Sequence, residues 1–127
     1  MRLILVRHAE AGPGQPDAQR SLTPDGREAA RALAAQLAEE RPNAVLSSPL
    51  LRAQETAAPI AEVAGVPLEI DERLAPGATV DDVRKVVAGR GETVVVVAHQ
   101  PDCGEIALAL TGRQVRFPPG GSFVIEL

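Results

Sequence analysis

Aromatic side chains are almost missing from this chain: it has no tryptophan, no tyrosine, and only Phe117 and Phe123. Its core must be packed from Ala, Val, Leu and Ile, and there is almost no platform on which unpaired bases could stack. Lysine is nearly absent too, with Lys85 alone beside 12 arginines, and the formal net charge is -4. No basic field is available to gather DNA, RNA or an anionic membrane, so neither nucleic acid nor membrane is an expected partner. The single cysteine, Cys103, excludes an internal disulfide and suits a reducing compartment. Long apolar runs are also lacking: residues 1–6 turn polar at Arg7, and residues 94–98 are only strand length. Neither run can serve as a signal core or a membrane span, and the expected location is the cytoplasm.

What is present is 127 residues, 45% of them apolar, enough for one domain over 1–127 with a real core. Short apolar runs bounded by turn residues alternate with helical patterns, the signature of an α/β domain. Strands are expected at residues 2–6, 44–47, 67–70 and 92–98, the last with four consecutive valines that suit the middle of a sheet. Thr23-Pro24-Asp25 supplies a cap, a proline at the first helical position and an acidic first turn. The helix it opens should run to about residue 40 on an inner stripe of Ala30, Leu33, Ala34 and Leu37. A second helix over about 50–64 contains Pro59, which is expected to kink or divide it. Helices follow at 80–88 and 102–110, with Asp102 expected as a cap. Residues 114–117 and 122–127 flank Pro118-Pro119-Gly120-Gly121 and predict an antiparallel hairpin at the sheet edge. The fold class is α/β: a three-layer α/β/α sandwich with a mostly parallel central sheet and an antiparallel edge.

Polar clusters stand where strands end. They are Arg7-His8-Ala9-Glu10, the segment from Ser47 to Thr56 that contains Arg52, and His99-Gln100-Pro101. Ligands of open α/β sheets bind at the carboxyl ends of parallel strands. Both histidines of the protein fall at such ends, so adjacent parallel strands would gather two His and two Arg in one crevice. A neutral imidazole is a competent nucleophile near neutral pH, and arginine forks grip phosphate oxygens in pairs. The chain has no CxxC or HExxH spacing, and no metal site or cofactor is expected.

Leu5-Val6-Arg7-His8-Ala9-Glu10 resembles the Arg-His-Gly signature of the histidine phosphatase superfamily, whose fold is called phosphoglycerate-mutase-like; Ala9 departs from the usual glycine. Leu22-Thr23-Pro24-Asp25-Gly26 is similar to that family's Leu-Thr-x-x-Gly segment. The block from Ser47 to Thr56 resembles its Ser-x-x-x-Arg-x-x-x-Thr pattern, and Val97-Ala98-His99 its second histidine. The resemblance implies that His8 carries a covalent phosphoryl group and that Arg7, Arg52 and His99, if His99 is protonated, bind its oxygens. Arg20 is a further phosphate-binding candidate from the loop, with a salt bridge as its other role. The proton donor implied by the family falls on Glu72, which otherwise reads as a surface carboxylate paired with Arg73.

In length the chain resembles the smallest members, the SixA-type phosphohistidine phosphatases. Only 42 residues separate Thr56 from His99, leaving little for a lid. An open site suits a phosphoryl group on a protein surface, and imidazole leaves phosphorus with less acid help than an alkoxide. The implied substrate is therefore a phosphohistidine-bearing protein. A small phosphorylated molecule, hydrolysed as a phosphomonoester, is the alternative, and a non-catalytic phosphoprotein-binding module is the alternative of another class.

Overall fold

The apolar strands bury both of their faces. A computed structural model describes all 127 residues and gives β1 (Arg2–Arg7), α1 (Pro24–Ala38), β2 (Ala44–Ser47), α2 (Leu51–Ala64), β3 (Leu68–Ile70), α3 (Val80–Val87), β4 (Thr93–Ala98), α4 (Asp102–Thr111) and β5 (Ser122–Glu126). Single 3-10 turns lie at Asp17–Gln19 and Glu72–Leu74. Ile4, Val6, Val45, Val95 and Val97 project to one side and pack on Leu33, Leu37, Ala53, Ala57 and Ile60 of α1 and α2. Leu3, Leu5, Leu46, Val94 and Val96 project to the other and pack on Val83, Val86, Cys103 and Ile106 of α3 and α4. Alternation along each strand thus feeds two cores, and the molecule is the expected three-layer α/β/α sandwich.

The sheet order is β3-β2-β4-β1-β5. All pairs are parallel except β5 against β1, so the valine strand β4 does lie at the centre, with the antiparallel strand at one edge. The α1 cap forms as expected, Thr23 Oγ1 accepting from the Gly26 N–H at 2.9 Å.

Four local expectations are corrected. Residues 114–117 form no strand: Phe117 is drawn into the core beneath α4, and the prolines at 118 and 119 bring no N–H to a ladder, so β5 alone makes the edge. Of the two effects expected of Pro59, division does not occur: α2 runs unbroken through it. Pro59 lies on a half-buried side of the helix, where its missing N–H leaves only the Glu55 carbonyl without a helical donor. Asp102 does not cap α4. Gln100 Oε1 takes the Gly104 N–H at 2.8 Å, while buried Asp102 reaches across to accept the Gly77 N–H at 2.8 Å. Finally, Arg73 pairs with Asp71 and not with Glu72, because Asp71 caps the same short turn and meets both the Arg73 backbone and its guanidinium.

The start of α1 rests directly on the loop that follows β1. The Thr23 N–H donates to the Glu10 carbonyl at 3.0 Å, and a Cβ at Gly26 would stand 2.2 Å from that same oxygen. Backbone cannot rotate away from such a clash. Gly26→Ala should therefore lower the unfolding free energy by about 2 kcal/mol or more, read as a fall in melting temperature. An unchanged melting temperature would show that α1 is not seated on Glu10 in this way.

Candidate active site

Parallel pairing sets β1 and β4 in register with Arg7 opposite Ala98, so the chain leaves both strands at the same level. The next residues are His8 and His99. The His8 N–H donates to the Ala98 carbonyl at 3.1 Å, and the two imidazoles stand with centroids 5.2 Å apart and planes tilted by 56°. On the other side of β4, Ser47 pairs with Val97, the Ser48 N–H donates to the Val97 carbonyl, and Ser48 Oγ lies 2.7 Å from His99 Nε2. Three adjacent strand ends therefore deliver His8, His99 and Ser48 to one crevice.

The protonation of His8 follows from its partner. Its Nδ1 lies 2.7 Å from the Ala9 carbonyl oxygen, which can only accept, so Nδ1 carries the hydrogen and Nε2 keeps a lone pair. Burial pushes the His8 pKa below its ordinary value, against the pull of the Ala9 contact, and the guanidiniums of Arg52, Arg7 and Arg20 push it further. His99 is pushed down to about 4, chiefly by burial and then by His8 and Arg52. Both rings are neutral near pH 7, and a protonated His99 requires an anion beside it.

Arg7 donates through Nη1 to the Phe117 carbonyl at 3.0 Å. Its Nε and His99 Nδ1 are buried polar atoms without a hydrogen-bond partner. Arg52 sits on the first turn of α2 with its side chain 9% exposed. It donates through Nη1 to the Asp17 carbonyl at 3.0 Å and through Nη2 to Asp17 Oδ2 at 3.2 Å. Arg20 donates through Nε to the Gly12 carbonyl at 2.8 Å and through Nη1 to Asp17 Oδ1 at 3.1 Å. Five of the residues expected from the sequence thus gather in one place: His8, His99, Arg7, Arg52 and Arg20. Glu72 is exposed on the turn after β3 and makes no hydrogen bond or ion pair with any of the five.

Residues that the sequence reading passed over brace the crevice. Fully buried Thr56 accepts the Ala9 N–H at 2.9 Å and donates to the Arg52 carbonyl at 2.8 Å, joining the loop after His8 to the turn that carries Arg52. Gly120, at φ +76°, donates its N–H to the His8 carbonyl, and the Arg7 N–H donates to Gly121. Ser48 and Thr56 lie inside the conspicuous block from Ser47 to Thr56. Asp17 was signalled only by its place three residues before Arg20, a spacing that allows an ion pair. No three His, Cys, Asp or Glu side chains converge closely enough to hold a metal ion.

Comparison with known proteins agrees with this layout. The family model described as histidine phosphatase superfamily (branch 1) matches residues 3–76. The protein histidine phosphatase SixA, in a structure with tungstate, superposes with a TM-score of 0.89 and 25% identity, over 100% of this chain and 88% of that one. A structure from Agrobacterium tumefaciens, provisionally named phosphohistidine phosphatase SixA, gives 0.83 and 25% over 97% and 89%. A curated protein of Hydrogenobacter thermophilus, provisionally named phosphoserine phosphatase 2, is 41% identical over 78 residues. That match spans 58% of this chain and only 38% of the relative.

Both histidines should titrate below their usual value, His99 at about 4. In the chain free of anions, NMR of the imidazoles should show His99 neutral down to about pH 4. The unfolded chain takes up that proton near 6.5, so stability present above 6.5 should be lost as the pH falls toward 4. Adding tungstate should move the His99 midpoint upward. A midpoint near 6.5 in the free chain would contradict the burial described.

Proposed function

This chain belongs to the histidine phosphatase superfamily, and from that premise we propose that it is a one-domain, cytoplasmic phosphatase that works without a metal, through a phosphohistidine on His8, with protein phosphohistidine as its substrate. His8 Nε2 attacks phosphorus while the bond from phosphorus to the leaving atom breaks, and the leaving group takes a proton from solvent as it departs. Water then attacks the phosphohistidine and returns a proton to solvent, releasing inorganic phosphate and restoring the lone pair on His8. Splitting one displacement into two lets the same clamp serve both steps.

The observation that carries this reading is the pairing of two neutral imidazoles 5.2 Å apart within reach of three guanidiniums. Charge on the non-bridging oxygens persists throughout phosphoryl transfer, so fixed cationic donors are the main source of rate. Arg7, Arg52, Arg20 and His99 are assigned to those oxygens. The partnerless Arg7 Nε and His99 Nδ1 are groups that an oxyanion would satisfy, and the likeness to a SixA structure with tungstate supports a tetrahedral oxyanion there.

Glu72 is exposed and shares no hydrogen bond with the residues of the crevice, and an imidazole leaving group has little need of an acid. Hydrolysis of phosphomonoesters is the second reading, favoured by the Hydrogenobacter relative.

Measured side by side, a phosphohistidine protein should have a higher kcat/KM than a panel of alkyl phosphates. Glu72→Gln should cost little on the phosphohistidine; a further ~10-fold loss on alkyl esters alone, where an alkoxide must be protonated, would mark Glu72 as an acid that only esters need. Esters hydrolysed far faster than every phosphohistidine protein would make the chain a small-molecule phosphatase.

A further inference from the structure

The Asp17 carboxylate stands between two of the guanidiniums assigned to phosphate, with one oxygen on each. Oδ2 takes Arg52 Nη2 at 3.2 Å and Oδ1 takes Arg20 Nη1 at 3.1 Å. The Asp17 backbone carbonyl takes two further donors, Arg52 Nη1 at 3.0 Å and the Arg20 N–H at 3.1 Å. The hydrogen bonds from the Asp17–Gln19 turn to α2 run through this one pair, Asp17 and Arg52. Two arginines side by side would otherwise repel, and long side chains lose their direction easily. A shared carboxylate removes the repulsion and fixes both.

The arrangement leaves donors over. Arg52 keeps Nε out of these contacts and Arg20 keeps Nη2 out of them. We propose that Asp17 is a positioning residue of the phosphate clamp: it couples Arg20 to Arg52 and sets the direction in which both present their remaining N–H groups to the phosphoryl group at His8. The assignment rests on His8 as the nucleophile and Arg52 as a phosphate ligand. It makes Arg20 a clamp member only while Asp17 holds it.

A double-mutant cycle on an aryl phosphate tests the coupling. Asp17→Asn keeps the shape and the backbone carbonyl but loses the charge, and with the side chain 64% exposed the melting temperature should hardly move. Its kcat/KM should fall about tenfold, the scale expected of residues in one hydrogen-bond network, mostly through kcat. Arg20→Ala should cost about as much, and the double variant should be no worse than either single one. A native-like or raised kcat/KM for Asp17→Asn, or losses that multiply in the double variant, would overturn the proposal while leaving the phosphatase reading intact. A native chain that fails to hydrolyse the aryl phosphate would instead overturn the reading of His8, and this proposal with it.

Discussion

The parallel pairing of β1 with β4 is the constraint on which the crevice depends. Both strands are buried on both faces, so polarity along the strands does not choose their register. Their ends do: Arg2 and Arg7 bracket the apolar residues 3–6, while Glu92 and His99 bracket the stretch that contains 94–98. Slipping one strand past the other would drag a charged or polar group into the sandwich, at a cost of several kcal/mol if left unpaired. With Arg7 fixed opposite Ala98, His8 and His99 have no freedom to be anything but neighbours. The burial that fixes them also keeps both rings neutral, the state a nucleophilic imidazole needs.

Hydrogen bonds from distant segments then hold the loops that leave these strands. Thr56 ties the loop after His8 to the turn of Arg52, Gly120 and Gly121 tie it to the last turn of the chain, and Ser48 meets His99 from β2. Around His8 almost every buried polar atom has a protein partner, which makes the two that lack one informative. A buried unsatisfied group costs about 1–3 kcal/mol, so Arg7 Nε and His99 Nδ1 fit a site arranged for an added acceptor.

Much of this was legible in the sequence because it is written locally. Strand-length valine and leucine runs, the Thr23-Pro24 cap and the polar residues at strand ends each announce themselves within a few positions, and the ordered motifs supplied the family. What escaped was set by long-range geometry. Asp102 sits where a cap is expected, yet its partner is Gly77 in another loop. Residues 114–117 look like half of a hairpin, but burying Phe117 outweighs a ladder that two prolines cannot complete. Asp17 lies in a loop rich in Gly and Pro, and nothing nearby in sequence names Arg52, 35 positions away, as its partner. Glu72 was placed by analogy of order along the chain, and no hydrogen bond or ion pair joins it to the gathered five.

The central claim is that His8 carries the phosphoryl group during turnover. Rapid acid-free quenching of the enzyme with a phosphorus-labelled substrate, followed by peptide mapping, tests it directly. The account predicts an acid-labile, base-stable label on His8 that forms before phosphate is released, and loss of both label and turnover in His8→Ala. Label on His99, or full turnover by His8→Ala, would contradict it.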